Sequence, residues 1–225
     1  MSTWEIAAQA AARAEAGMVV GLGTGRAASG FVRALGARVR GGLAVQGVPT
    51  SEATRRLAGS LGIPLVGLDD VRRVDLAVDG ADEVDPARDM IKGHGGAMVR
   101  ERVVATLADR FVILVGPEKV SGRLGILRSV PVEVVPFAVG PARRALRDLG
   151  AEVRLRPGPD GAAPFRTDNG NLLLLARFPG IRDAARLHRD IRRIPGVLDS
   201  GLFLGMAHEV LVEAAEAPGR EAGAR

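Results

Sequence analysis

Four short apolar runs, at residues 18–22, 45–48, 74–78 and 111–115, limit what this chain can fold into. Each carries at most one polar residue and stops at a glycine or polar turn, and a helical pattern follows the first three. Apolar runs of this length fit strands buried on both faces, and their alternation with helices fits a mostly parallel sheet. Residues 63–66 read as one more strand. Helices are expected over 3–16, with Thr3 as cap and Gly17 as stop, from the turn at Gly23 through about Leu35, over about 53–61, and over 97–107. Ligands in open α/β sheets bind at the carboxyl ends of strands. Thr24, Ser51, Asp79 and Lys119 all fall at such ends.

Past residue 127 the order of elements changes. Strand patterns at 130–135, 151–156, 171–176 and 197–204, with helical patterns at 141–149 and 183–194, give β-α-β-β-α-β, the ferredoxin-like split unit. The expected class is α/β: a Rossmann-like, mostly parallel sheet domain made of residues 1–127 and 205–225, with an inserted ferredoxin-like α+β domain at 128–204. The run at 208–213 is expected to return to the first sheet, and the tail from Ala214 to be disordered. Asp168-Asn169-Gly170-Asn171 reads as a turn, since asparagine and glycine tolerate positive φ.

Composition removes several classes of function. A chain of 225 residues, 47% hydrophobic, can bury a sizeable core. Cysteine is absent, which excludes disulfides and thiolate metal sites. The first residues lack the pattern of a signal peptide, and no apolar run approaches a membrane span. The net charge is +5, but the arginines are spread along the chain, aromatics are 3% and tyrosine is absent, so no stacking platform for nucleic acid is expected. His94, His188 and His208 show no metal-ligand spacing. Of 31 basic residues only Lys92 and Lys119 are lysine. Lysine is a compact charge whose pKa shifts on burial, a property arginine cannot supply.

The candidate chemistry lies between Asp79 and Ala105. Asp79, Asp82 and Glu83 place three carboxylates in five residues at a strand's carboxyl end. Lys92-Gly93-His94-Gly95-Gly96 is a glycine-rich loop behind one lysine, and Glu101 lies in the second turn of the helix that follows. A carboxylate base, a cation for a developing oxyanion and further acid–base groups are what proton transfer beside a carbonyl requires. The plainer alternative is a solvated acidic turn with a surface Lys–Glu pair. Upstream, Gly23-Thr24-Gly25-Arg26-Ala27 joins a strand to a helix, either as a tight turn or as a monophosphate cradle with Thr24, backbone N–H groups and Arg26 as donors. The glycine spacing is not the dinucleotide fingerprint. Thr50 and Ser51 either cap the next helix or face a ligand.

Taken together these stretches resemble the ribose-5-phosphate isomerase A family. The matching residues are Gly23-Thr24-Gly25, Thr50-Ser51, Asp79-Gly80-Ala81-Asp82-Glu83, Lys92 to Ala97 with Arg100-Glu101, Lys119, Pro131 to Val135, Asp168 to Asn171 and Gly201-Leu202-Phe203, in the family's order. The resemblance implies a metal-independent enzyme without cofactor, in the non-oxidative branch of the pentose phosphate pathway. It would interconvert ribose 5-phosphate and ribulose 5-phosphate through an enediolate. By that likeness Glu101 moves the proton between C1 and C2, Lys92 stabilises the oxyanion, Asp79 helps open the furanose ring, and Asp82 orients Lys92 or shares the proton work. Lys119 contacts substrate hydroxyls or holds the carboxylates. Gly23, Thr24, Gly25, Arg26, Ala27, Thr50, Ser51, Gly80, Ala81, Gly93, His94 and Gly95 complete the expected substrate-binding set. A cytoplasmic homodimer or homotetramer acting on a small phosphorylated sugar, without nucleic-acid or membrane partners, is likewise implied.

The chain departs from the family's pattern in three places. Arg26 and Ala27 stand where the phosphate loop usually has two hydroxyl residues, the N-terminal lysine of some members is missing, and His94 replaces a glycine. Arg26 is expected to take over phosphate binding, because a guanidinium can bind phosphate bidentately. His94 either touches substrate or points to solvent. These departures leave two other readings open: an isomerase of another phosphorylated sugar, and a non-catalytic sugar-phosphate sensor.

Overall fold

The computed structural model describes residues 2–214. In chain order its elements are α1 (Thr3–Ala11), β1 (Val19–Leu22), α2 (Arg26–Arg40), β2 (Gln46–Pro49), α3 (Glu52–Ser60), β3 (Leu76–Gly80), β4 (Glu83–Val84), β5 (Met90–Ile91), α4 (Met98–Thr106) and β6 (Phe111–Val115). There follow β7 (Val130–Val134), α5 (Val139–Asp148), β8 (Glu152–Leu155), β9 (Leu172–Arg177), α6 (Ala184–Arg192), β10 (Val197–Ser200), β11 (Leu202–Phe203) and β12 (Glu209–Val212).

Five strands form a parallel sheet in the order β12-β6-β3-β1-β2. Both faces are covered. Val20, Leu22, Leu76, Val78, Val112 and Leu114 pack with Ile6 of α1 and with Phe31 and Leu35 of α2. Ala77, Phe111, Ile113 and Val115 point the other way, into a core with Met98 and Val104 of α4. Side chains alternate across a strand, so a strand covered on both faces needs apolar residues at every position. That is why these runs read as continuous. The run near 208–213 does return to this sheet, as β12 beside β6.

A second, antiparallel sheet has the order β10-β7-β9-β8. Counted along the chain from β7 this is 4-1-3-2, and α5 and α6 pack on it through Ala142, Leu146 and Ile191. The arrangement is that of the ferredoxin-like unit.

A third sheet, β11-β5-β4, was not expected from the sequence. The strand read over 197–204 breaks at Gly201: β10 stays in the second sheet while β11 crosses to pair with β5. Gly201 N–H donates to Pro131 O at 2.7 Å, and its carbonyl accepts from Lys92 N–H at 2.9 Å. A Cβ here would stand 2.3 Å from the Lys92 carbonyl oxygen and 2.6 Å from Pro131 Cδ, so the two sheets can meet only over a glycine.

Other boundaries differ for local reasons. Residues 63–66 form no strand, only a bridge from Leu65 to Gly47, and Pro64 has no N–H to give a ladder. α1 is capped by Ser2 in a capping box with Glu5 and stops at Ala11, where Arg38 donates to the carbonyls of Ala11 and Ala14. α2 continues past Leu35 to Arg40. Its Gly36 lets it pass close to Leu61, which would lie 2.8 Å from a Cβ. Glu83 belongs to the fold rather than to an acidic cluster. It is fully buried and accepts from Ser121 Oγ and from the N–H groups of Ile126, Leu127 and Arg128. The tail expected to be disordered lies, from residue 215 on, outside the described residues.

Gly201→Ala is expected to destabilise the protein by about 1–3 kcal/mol through overpacking against backbone. Urea denaturation measures this, and an unchanged midpoint would contradict the tight crossing.

Candidate active site

Three ionisable side chains from three elements meet at the carboxyl end of the parallel sheet. Asp79 comes from the end of β3, Lys92 from the residue after β5, and Glu101 from the first turn of α4. Their side chains are only 3%, 2% and 5% exposed. Lys92 Nζ lies 3.0 Å from Asp79 Oδ2 and 3.7 Å from Glu101 Oε2, and donates to Gly80 O. Asp79 Oδ1 accepts from Thr24 N–H at 3.0 Å and Gly80 N–H at 2.8 Å. Asp79 is thus fully satisfied. Glu101 Oε2, by contrast, is buried without a hydrogen-bond partner.

The electrostatics follow from that inequality. Burial, then the charge of Asp79, push Glu101 up to about 8 against the pull of Lys92, and Asp82 adds to the rise. Burial alone would push the Lys92 ammonium down. The charges of Asp79 and Glu101, the hydrogen bond to Asp79 and the charge of Asp82 outweigh it and hold Lys92 above its ordinary value. Two carboxylates sharing one cation cannot both ionise easily in a dry site.

The trio sits beside a cleft of about 250 Å³. Thr24, Gly25, Arg26 and Ala27 form one end, at the N-terminus of α2. Gly80, Ala81 and Asp82 form a wall, and Lys92, Gly93, Gly95, Glu101 and Lys119 complete the lining. A helix's first N–H groups lack intrahelical acceptors and carry the positive end of its dipole, so this end of the cleft suits an anion. Gly93 has φ +102°, and a Cβ on it would meet Met98 Cβ at 2.5 Å, which brings the lysine loop close against α4. Gly23 lies beneath the cleft, where a Cβ would strike Asp79 Oδ1 at 2.3 Å.

Not every expected residue reaches the cleft. Thr50 and Ser51 are buried behind Thr24, and with Thr54 they hydrogen-bond its hydroxyl at 2.8–3.2 Å. Ser51 also caps α3. The Thr24 hydroxyl is therefore engaged inward. His94 donates its backbone N–H to Asp82 Oδ2 at 3.0 Å, while its imidazole turns to the Ser129 carbonyl at 2.8 Å. The Arg26 side chain is 81% exposed and lies 3.9 Å from Glu118. Asn169 and Asn171 donate to the buried Glu133, and Arg100 donates to Asn169 and to Glu52. Sequence reasoning gave no role to Phe203 or Arg102. The Lys92 ammonium lies 5.6 Å from the Phe203 centroid and the Arg102 guanidinium 4.0 Å from it. One arginine among 29 carries no signal of its own. Among the described residues, no group of three or more His, Cys, Asp or Glu is placed to hold a metal ion, and no helix is long and apolar enough to cross a membrane.

A buried carboxyl with a raised pKa, an ammonium beside it and a helix N-terminus facing the same small cleft are what an α/β enzyme that moves protons on a small anionic substrate requires. The model of the family "Ribose 5-phosphate isomerase A (phosphoriboisomerase A)" matches residues 46–217. A ribose-5-phosphate isomerase A of Thermosynechococcus vestitus is 49% identical over 209 residues, covering 92% of this chain and 89% of the relative. The solved ribose 5-phosphate isomerase A of Methanocaldococcus jannaschii superposes with a TM-score of 0.90 at 41% identity, over 93% of each chain. A D-ribose-5-phosphate isomerase solved in complex with phospho-erythronic acid gives 0.90 at 38% identity, again over 93% of each. The chain belongs to the ribose 5-phosphate isomerase A family.

The raised pKa of Glu101 has a consequence for stability. A carboxyl whose folded value lies above its unfolded one favours folding at low pH, and that contribution is lost as pH rises from about 4.5 through about 8. Glu101→Gln is therefore expected to stabilise the fold at pH 8.5, by on the order of 2 kcal/mol, and to leave stability near pH 5 unchanged. Urea denaturation at both pH values checks it, and equal effects at the two would show that Glu101 does not titrate in this range.

Proposed function

We propose that this chain interconverts D-ribose 5-phosphate and D-ribulose 5-phosphate, with Glu101 as the base. The observation that carries the reading is the buried Glu101 Oε2, unpartnered, raised to about 8 and 3.7 Å from the Lys92 ammonium. Glu101 takes the C2 proton of the open-chain aldose and returns it to C1 of the enediolate. Lys92 stands where the charge on the neighbouring oxygen develops and stabilises it electrostatically. Asp82, which lines the cleft, is better placed for ring-opening proton transfer than Asp79, which lies beneath and holds Lys92. The phosphate rests on the first N–H groups of α2, with Arg26 reaching it from the rim and Lys119 meeting the sugar hydroxyls. The solved relative with bound phospho-erythronic acid supports a phosphorylated ligand. We read residues 1–127 with 205–225 as the catalytic domain and 128–204 as the insertion, and we place the enzyme in the cytoplasm.

Ribulose 5-phosphate formation is measured with EDTA present. Wild-type turnover should persist, and Glu101→Gln should lower kcat by about 10²–10⁴-fold, the worth of a general base. Because the ionised carboxylate is the active form, wild-type kcat/KM should rise with pH through about 8. Arg26→Ala should raise KM without lowering kcat, and an unchanged KM removes Arg26 from the phosphate site. A wild type inactive on ribose 5-phosphate would sink the reading.

We also propose self-association as a homodimer or homotetramer. Phe137 is 99% exposed, and Val120, Ile126 and Leu127 are exposed as well, side chains that a partner subunit would cover. Light scattering should give a mass above the 23.5 kDa of one chain, and a monomer at micromolar concentration would contradict it.

A further inference from the structure

Arg102 follows the base directly in α4, but it serves a different part of the molecule. Its Nη2 donates to Ser200 O at 2.7 Å and to Leu202 O at 2.8 Å, its Nε donates to the Asp199 carboxylate, and its Nη1 lies 3.4 Å from Met206 Sδ. The two carbonyls flank Gly201, whose own carbonyl accepts the Lys92 N–H. The guanidinium also lies over Phe203, the fully buried ring beside the Lys92 ammonium.

The geometry points to Arg102 as a positioning residue for Lys92: it clamps the β10–β11 corner that anchors the Lys92 backbone and fixes the Phe203 ring beside its ammonium. This rests on the reading of Glu101 and Lys92 as the proton-transfer pair. A lysine ammonium sits on a flexible four-carbon stem, so its distance from the base is set by what holds its backbone and packs its side chain. Arg102 holds both. Its planar fork reaches two carbonyls from Nη2 and a carboxylate from Nε, a fixed two-nitrogen geometry that the single nitrogen of an ammonium cannot reproduce. The groups facing Arg102 are Asp199, which also pairs with Arg192 at 3.3 Å, and His188, whose Nδ1 lies 2.8 Å from Ser200 Oγ. Those facing Glu101 are Lys92, Asp79 and Asp82. Arg102 is not among them, so it acts on the base only through the place it gives Lys92.

Arg102→Lys keeps the charge and loses the fork. On ribose 5-phosphate it should lower kcat about tenfold, the scale of a sub-ångström misplacement, with KM nearly unchanged. The acid limb of kcat/KM should move to higher pH by roughly half a unit, as Glu101 loses part of the pull of Lys92. A merely structural brace would lower Tm alone. Wild-type kcat and pH profile in the folded variant, beside an inactive Glu101→Gln, would overturn the positioning role and leave the base assignment standing. Full activity of Glu101→Gln would overturn the base itself. If Arg102→Lys does not fold, Phe203→Leu tests the same clamp: the same fall in kcat and shift of the acid limb support it, and a wild-type profile overturns it.

Discussion

Asp79 and Glu101 stand almost out of water, each within 4 Å of the equally buried Lys92 ammonium, and taking each ion out of solvent costs several kcal/mol unless partners replace the lost hydration. The replacement is uneven. Asp79 receives two backbone N–H groups and the ammonium, and Lys92 has two carboxylates and a carbonyl. Glu101 is left with one unpartnered oxygen. That shortfall destabilises the fold and raises the proton affinity of Glu101, because a buried carboxylate starved of donors holds a proton more tightly than one in water. Supplying the missing donor would steady the protein and lower that proton affinity.

Holding such a cluster requires more than one sheet. The parallel sheet delivers Asp79 and the N-terminus of α2 to a common edge. The lysine directly follows β5, a two-residue strand that would be marginal alone and is paired with β11 and β4. The second sheet therefore supports the site directly. It meets the lysine through Gly201, and its 167–171 loop meets α4 through Asn169, which accepts from Arg100, and α3 through Asp168, which accepts from the Glu52 N–H. Phe165, from the loop before it, occupies the space a Cβ on Gly96 would need, 2.3 Å away. The Asp168–Asn171 turn read from the sequence is real, with Gly170 at φ +81°, but its asparagines also hold the buried Glu133.

What could be read in advance follows from how local the cause is. Burial on both faces leaves its mark within each strand, so the parallel sheet and the order of the second sheet's elements were legible, and so was the cluster of Asp79, Lys92 and Glu101, whose residue types are uncommon for their setting. The third sheet was not legible. β4, β5 and β11 have two residues each, too few for a period, and they exist because distant segments meet. Glu83 looked like a third site carboxylate because its true partners, the backbone N–H groups at 126–128, lie more than forty positions away. Thr50 and Ser51 looked like ligand contacts because a hydroxyl at a strand's end serves equally well to cap a helix or to brace a neighbour. Only the placement of Thr24 in front of them decides.

The turn from Gly23 to Ala27 becomes understandable on the same terms. With the Thr24 hydroxyl turned inward, the donors left at this end of the cleft are main-chain N–H groups in the first turn of α2. Main-chain donors and the helix dipole do not depend on the side chains at 26 and 27. Ala27 is buried against the core, and Arg26 extends into solvent at the rim. The side chains at 26 and 27 can therefore vary without removing these main-chain donors, provided Gly25 keeps the turn, at φ +106°, that aims the helix at the cleft. A buried ammonium has no such latitude. Lys92 must be compact enough to fit between two carboxylates and a ring, which no guanidinium could do in the same space. That gives a physical reason for a chain that uses arginine at 29 of its 31 basic positions to place lysine here.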